Sequence, residues 1–230
     1  MKLERNIHKA LTESINRNYK TPTKFTLGVS GGSDSQCLLV SFPRVARELG
    51  HDCIAVGINH GLRNEANSEL DLAENLALKI NVPFYRKVVK VIDGPEGIQS
   101  HARKARYDAL FEYGNVIVTA HHFDDYAETV MIRLLRGKNI GSLNVLPEVS
   151  NNGIGIFRPL LSVPKNRILA HLKRWNILYA NDPSNENMDY LRVKVRKEIL
   201  PLLESINPQI KNRLVEISQE LQIGNQLNNL

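Results

Sequence analysis

The stretch Phe25-Thr26-Leu27-Gly28-Val29, followed by Ser30-Gly31-Gly32-Ser33-Asp34-Ser35, decides the fold. An apolar run ends in a block of small and polar residues, and a helix-forming run opens at Gln36. The order reads as strand, tight turn and helix start. Glycines let the main chain turn sharply and approach a ligand. The first N–H groups of a helix have no partner within it, so they face any anion seated there. Phosphate is the favoured guest. The loop lacks both the lysine-containing G-x-x-x-x-G-K spacing and the G-x-G-x-x-G spacing of other phosphate loops. Ser30, Ser33 and Ser35 supply hydroxyl donors, which suits pyrophosphate. Asp34 would repel phosphate unless a divalent cation such as Mg²⁺ lay between them, so it reads as a metal handle. Helix capping by Ser or Asp explains one polar residue of this block and leaves the others unexplained.

Length and composition bound the rest. A chain of 230 residues can form one α/β domain with a small appendage. Cys37 and Cys53 are its only cysteines, and their separation fits neither a C-x-x-C knuckle nor a redox pair; they read as buried thiols of a reducing cytosol. No long apolar segment follows Met1, and nowhere do about 18 apolar residues run together, so the expected location is the cytoplasm, away from membranes. A net charge of +6 and a pI near 9.3 favour an anionic partner. Arg192, Lys194, Arg196 and Lys197, then Lys211 and Arg213, concentrate that charge late in the chain. An anion-binding face and a solvated helix face both fit this spacing.

Strands and helices alternate along the chain. Asn6 to Asn18 reads as a leading helix, with Ile7, Leu11 and Ile15 on one face. Phe25–Val29, 53–58, 84–89 and 116–120 read as strands, separated by helices over 65–79 and 99–113. The pattern predicts an α/β fold: a Rossmann-like open parallel sheet with helices on both faces and a short helical C-terminal segment. Ligands bind such sheets beyond the carboxyl ends of the strands, where Ser30 to Ser35, Asn59-His60 and His121-His122 all fall. Further helices are expected over 123–136, 164–176 and 191–200, the last stopping at Pro201, with Gly137 to Gly155 as an exposed loop. A last amphipathic helix begins at Asn207-Pro208 and carries Ile210, Leu214, Ile217 and Leu221. It has no obvious partner and reads as a linker or as the start of a further region, which sets the expected division at 1–204 and 205–230.

Ala120-His121-His122-Phe123-Asp124-Asp125-Tyr126-Ala127-Glu128-Thr129 packs imidazoles and carboxylates into one strand-to-helix junction. Asp125 and Glu128, three apart, share a helix face, opposite a buried face of Ala127, Val130, Met131 and Leu134. Asp124 and Asp125 also suit the positive end of a helix dipole, which leaves the histidines unexplained. The spacing lacks the i, i+4 histidine pair of a zinc helix. Thr129, Arg133 and Arg136 form a polar stripe on this helix, and Gln99, Arg103 and Arg106 another on the preceding one. Both suit phosphates, whether of a nucleotide or of a nucleic-acid backbone.

The S-G-G-x-D-S loop resembles the signature of the ATP pyrophosphatase (PP-loop) families, which split ATP into AMP and pyrophosphate. Asn59-His60-Gly61-Leu62-Arg63, Gln99 with Ala102-Arg103 and Arg106-Tyr107, Ala120-His121-His122 with Asp124-Asp125 and Glu128-Thr129, Arg136-Gly137, Arg158-Pro159-Leu160-Leu161, and Asp182 with Ser184-Asn185 follow in an order similar to the tRNA(Ile)-lysidine synthase family, over nearly the whole chain. Asn59 stands where that family usually has Asp, and Val193 where it usually has Asn. The resemblance implies an adenine nucleotide alpha hydrolase-like fold, with ATP and Mg²⁺ as cofactors. It also implies a two-step reaction: ATP adenylates the carbon-2 oxygen of the wobble cytidine of a CAU-anticodon tRNA(Ile), then free L-lysine displaces AMP to leave lysidine.

In that scheme Ser30, Gly31, Gly32, Ser33, Asp34 and Ser35 grip the ATP phosphates, with Mg²⁺ on Asp34, and Asn59 and His60 lie near adenosine. Arg103 and Arg106 offset charge at the α-phosphorus. Asp125 and Glu128, with His121 nearby, are the candidates for the lysine ammonium groups and for taking the ε-amine proton. A homodimer is compatible with the reading. The competing functions are a tRNA thiolase of the same superfamily, which generally needs paired cysteines, and a non-catalytic nucleotide- or tRNA-binding protein, which would bind ATP without releasing pyrophosphate.

Overall fold

The computed structural model of the chain describes residues 2–59, 66–89, 98–137, 143, 146–150, 155–181, 188 and 190–227. They form two compact units, Met1–His121 with Glu148–Asn181, and His122–Pro147 with Asp182–Leu230.

The first unit carries one six-stranded sheet. Its strands are β1 (Lys24–Val29), β2 (Asp52–Asn59), β3 (Phe84–Val88), β4 (Val116–Val118), β5 (Val149–Ser150) and β6 (Gly155–Phe157), in the order β3-β2-β1-β4-β6-β5. All neighbours run parallel except β5, which is antiparallel to β6. Phe25 lies between Cys53 and Val116, so β1 is central. Strand order reverses there: the chain steps from β1 outward to β2 and β3, then returns to β4 on the other side. The carboxyl ends of β1 and β4 therefore flank the switch point at which open α/β sheets bind ligands.

Alternation along the strands builds two cores. Phe25, Leu27 and Val29 pack on one face with Leu38, Leu39 and Phe42 of α2 (Ser33–Glu48), with Ile7, Leu11 and Ile15 of α1 (Lys2–Asn18), and with Ile168 and Leu172 of α6 (Lys165–Arg174). Ala73, Leu76 and Ala77 of α3 (Ala66–Lys79) join the same core. Ile54, Val56, Ile58 and Ile117 point to the other face and meet Tyr107 and Leu110 of α4 (Ile98–Phe111). The helices expected on both faces of a parallel sheet are thus present. Glu148 ties the antiparallel edge to α1, accepting from Ser14 Oγ at 2.6 Å and Asn18 Nδ2 at 2.9 Å.

The second unit is helical: α5 (Phe123–Leu135), α7 (Leu191–Lys194), a π turn (Val195–Ile199), α8 (Leu200–Ile206) and α9 (Ile210–Leu227). Tyr126, Val130, Val193, Val195, Leu200, Leu214 and Val215 are among its buried residues.

Four expectations change. The Gly137–Gly155 region is no exposed loop throughout: Leu143 and Leu146 are buried and Val149–Ser150 is a strand. Pro201 does not stop the helix. The chain widens into the π turn just before it, which relieves the proline's missing N–H and ring clash, and continues as α8. Leu134, expected on the buried face of α5, is 44% exposed. Finally, α9 packs against α5 in the second unit, where Ser218 is fully buried and donates to Leu143 O at 2.6 Å. No helix among the described residues is long and apolar enough to cross a membrane.

Candidate functional site

The loop Ser30–Ser35 leaves β1 at its carboxyl end and starts α2. Gly31 sits at φ +79°, and a Cβ there would lie 2.1 Å from Glu69 O, so both conformation and contact demand glycine. Gly32 is the N-cap in an extended conformation and supplies no side-chain cap to the first turn of α2. Ser35 Oγ donates to Gly32 O at 2.9 Å and accepts from Ser30 N at 3.2 Å, which closes the loop on itself. What results is a helix N-terminus edged by the hydroxyls of Ser30 and Ser33, the geometry that holds phosphate oxygens.

Sequence reading missed the loop's second wall. Ala180 N donates to Gly31 O at 3.0 Å, and Gln36 Nε2 donates to Leu178 O at 3.3 Å. Lys165, in the first turn of α6, donates to Ser33 Oγ at 2.8 Å and to Asp34 Oδ1 at 2.5 Å. The carboxylate read as a metal handle is thus paired with an ammonium. Only the Pro164-Lys165 start of a helix hinted at this, and nothing local in the sequence ties it to Asp34.

Arg103 and Arg106 do come together. Their guanidinium carbons lie 5.1 Å and 5.5 Å from the Tyr107 ring centroid. Arg158, 4% exposed, joins them. Burial holds the Arg106 and Arg158 guanidiniums below their ordinary range; Tyr107 opposes this in part and the charge of Arg103 adds to it. Concentrated, partly desolvated cations of this kind suit an anion. Asn59 Nδ2, at the end of β2, donates to Asn67 Oδ1 at 2.8 Å. His60 lies outside the described residues, as do Arg63, Asp182, Ser184 and Asn185.

His121 Nδ1 is 2.8 Å from Thr119 Oγ1. His122, by contrast, has a structural duty: it caps α5, its Nδ1 accepting from Asp125 N at 3.4 Å while Asp125 Oδ2 accepts from His122 N at 3.0 Å. Glu128 is 1% exposed. Its carboxylate accepts from Arg192 Nε at 3.0 Å and from Arg196 Nε and Nη2 at 2.7 Å and 3.0 Å. Asp125 Oδ1 lies 3.7 Å from both arginines. The late basic cluster is therefore neither simply solvated nor simply an anion site, since two of its arginines hold Glu128. Lys211 holds Asp124 at 3.0 Å. No group of three or more His, Cys, Asp or Glu gathers to hold a metal among the described residues.

The PP-loop domain family matches residues 1–203. The chain is 34% identical over 215 residues to a tRNA(Ile)-lysidine synthase of Petrotoga mobilis, covering 88% of this chain and 68% of that protein. With the tRNA(Ile)-lysidine synthase of Haemophilus ducreyi it shares 34% over 219 residues, covering 94% of this chain and 50% of the relative. Among solved structures, the U34-tRNA thiolase NcsA of Methanococcus maripaludis matches with a TM-score of 0.78 at 18% identity, over 95% of this chain and 79% of that one, a likeness of fold alone. With a phosphate loop of this geometry at the switch point of the sheet, and with these matches, the chain belongs to the PP-loop ATP pyrophosphatases, in the tRNA(Ile)-lysidine synthase family.

Proposed function

We propose that this protein joins lysine to carbon 2 of the wobble cytidine of a CAU-anticodon tRNA(Ile), through an adenylated tRNA, forming lysidine. The observation that carries the reading is the helix N-terminus at Gly32, preceded by Gly31 whose left-handed φ and contact with Glu69 O demand glycine, in a chain whose relatives bear that activity in their names. In this reading the first-turn N–H groups of α2, with Ser30 and Ser33, hold the phosphates of ATP. Mg²⁺ fits the loop as an ion carried in mainly by the triphosphate, with Asp34 as its one carboxylate, because such ions keep few protein ligands. When bound it screens the phosphate charge. Arg103, Arg106 and Arg158 offer positive charge to the α-phosphate or the RNA backbone, and Asn59 serves the adenosine side.

For the second step, Asp125 is the better carboxylate for the lysine ammonium, since Glu128 is buried under two guanidiniums. Glu128 then acts through Arg192 and Arg196. A thiolase reading draws on the fold likeness, but burial pushes the Cys37 thiol up to about 12 and Cys53 up to about 11, which disfavours the thiolates that sulfur chemistry needs. The test is product analysis with ATP, lysine and CAU tRNA. A lysine-bearing cytidine formed together with AMP and pyrophosphate supports the reading, and a sulfur-bearing nucleoside, or ADP with phosphate, overturns it.

A further inference from the structure

The contact between Lys165 and the loop is poorly explained as a stabilising ion pair. The Lys165 and Asp34 side chains are 33% and 32% exposed, and pairs that open to water contribute little to folding. The position of the ammonium is more telling. It reaches the Ser33 hydroxyl at 2.8 Å and the Asp34 carboxylate at 2.5 Å, in the first turn of a helix that has no side-chain cap. A cation resting beside an open helix N-terminus occupies the surroundings that a bound anion needs. The segment that carries it is also anchored, because Ala180 and Leu178, farther along, bond to Gly31 and Gln36.

We propose that Lys165 binds the β- and γ-phosphates of ATP: its contacts with Ser33 and Asp34 set its ammonium beside the first turn of α2, where those phosphates would lie, with Mg²⁺ on Asp34. This rests on the ATP pyrophosphatase reading above. In the adenylation step the carbon-2 oxygen of cytidine forms a bond to the α-phosphorus, and the bond from that phosphorus to the bridging oxygen breaks. Pyrophosphate leaves with the electron pair. Lys165 neutralises the charge that grows on it, and no proton need move. AMP lacks the two phosphates in question, so Lys165 contributes nothing to holding AMP.

That asymmetry supplies the test. The full chain, as wild type, Lys165→Met and Lys165→Arg, is titrated calorimetrically with pyrophosphate plus Mg²⁺ and separately with AMP, and assayed for tRNA-dependent exchange of pyrophosphate into ATP. Lys165→Met is expected to weaken pyrophosphate binding by about tenfold, to leave AMP binding unchanged, and to slow exchange by about 100-fold. Lys165→Arg is expected to recover part of the pyrophosphate affinity. Unchanged pyrophosphate affinity in Lys165→Met overturns the proposal, as does an equal loss of AMP and pyrophosphate, which marks a structural role. A wild-type protein that binds neither pyrophosphate nor AMP overturns the ATP reading, and this proposal with it.

Discussion

Arg196 Nε donates to Glu128 Oε1 at 2.7 Å, joining residues 68 positions apart. With Arg192 Nε on the second carboxylate oxygen at 3.0 Å, the pair fastens α7 and the π turn to α5. Burying a carboxylate is costly unless it stays paired, so removing a partner strands a charge. Arg196→Ala is expected to lower stability by about 2 kcal/mol, below the range for fully buried pairs because Arg192 remains. Denaturant unfolding of the variant checks this through a lower midpoint at an unchanged slope.

Asp125 offers a cleaner separation of the two proposed half-reactions. Asparagine at this position keeps the oxygen that accepts from His122 N, so the cap of α5 survives while the charge is lost. Asp125→Asn is expected to retain ATP-dependent adenylation and to slow lysine transfer by about 100-fold or more. An equal fall in both steps would show that Asp125 does not serve the amine.

Gly31→Ala tests the loop geometry itself. A left-handed φ costs a non-glycine residue about 1–2 kcal/mol, and the added carbon would also run into Glu69 O. The expected outcome is loss of ATP binding together with a fall in thermal stability. Gly32→Ala, where the nearest atom to an added Cβ is Ser30 Oγ at 3.8 Å, is expected to fold normally. Calorimetry on the two variants distinguishes them.

His51 makes the first unit sensitive to acid. It is 5% exposed, its Nδ1 accepts from Thr23 N at 3.1 Å, and burial holds its pKa below the ordinary imidazole value. The unfolded chain therefore takes up the proton first as pH falls. The stabilisation is fully present above the unfolded imidazole value, about 6.5, and is lost as pH drops through the lower folded value. His51→Gln is expected to flatten that part of the stability profile, as read from unfolding midpoints between about pH 5 and 7.

Local signals explain what the sequence makes legible. The apolar run to Val29, the glycines after it and the helix from Ser33 each rest on neighbours in the chain, and the loop's chemistry follows from its own residues. Strands β5 and β6 do not, since pieces of two and three residues carry no periodicity and owe their place to pairing with β4 and with each other. Pro201 reads as a stop because a π turn is a rare answer to a proline in a helix. The same limit applies to the site: Ser33 and Asp34 are legible, while Lys165 meets Asp34 from 131 residues away. Arg192 and Arg196 read equally as an anion-binding face or a solvated one, because their partner Glu128 lies on another helix, 64 and 68 residues away.

Lysidine formation is measured most directly by nucleoside mass analysis of a CAU-anticodon tRNA(Ile) after incubation with this protein, ATP, Mg²⁺ and lysine. The expected product is a cytidine heavier by the lysine adduct, dependent on ATP and absent when lysine is omitted. A tRNA that stays unmodified, with a folded protein that binds ATP, would contradict the proposed function.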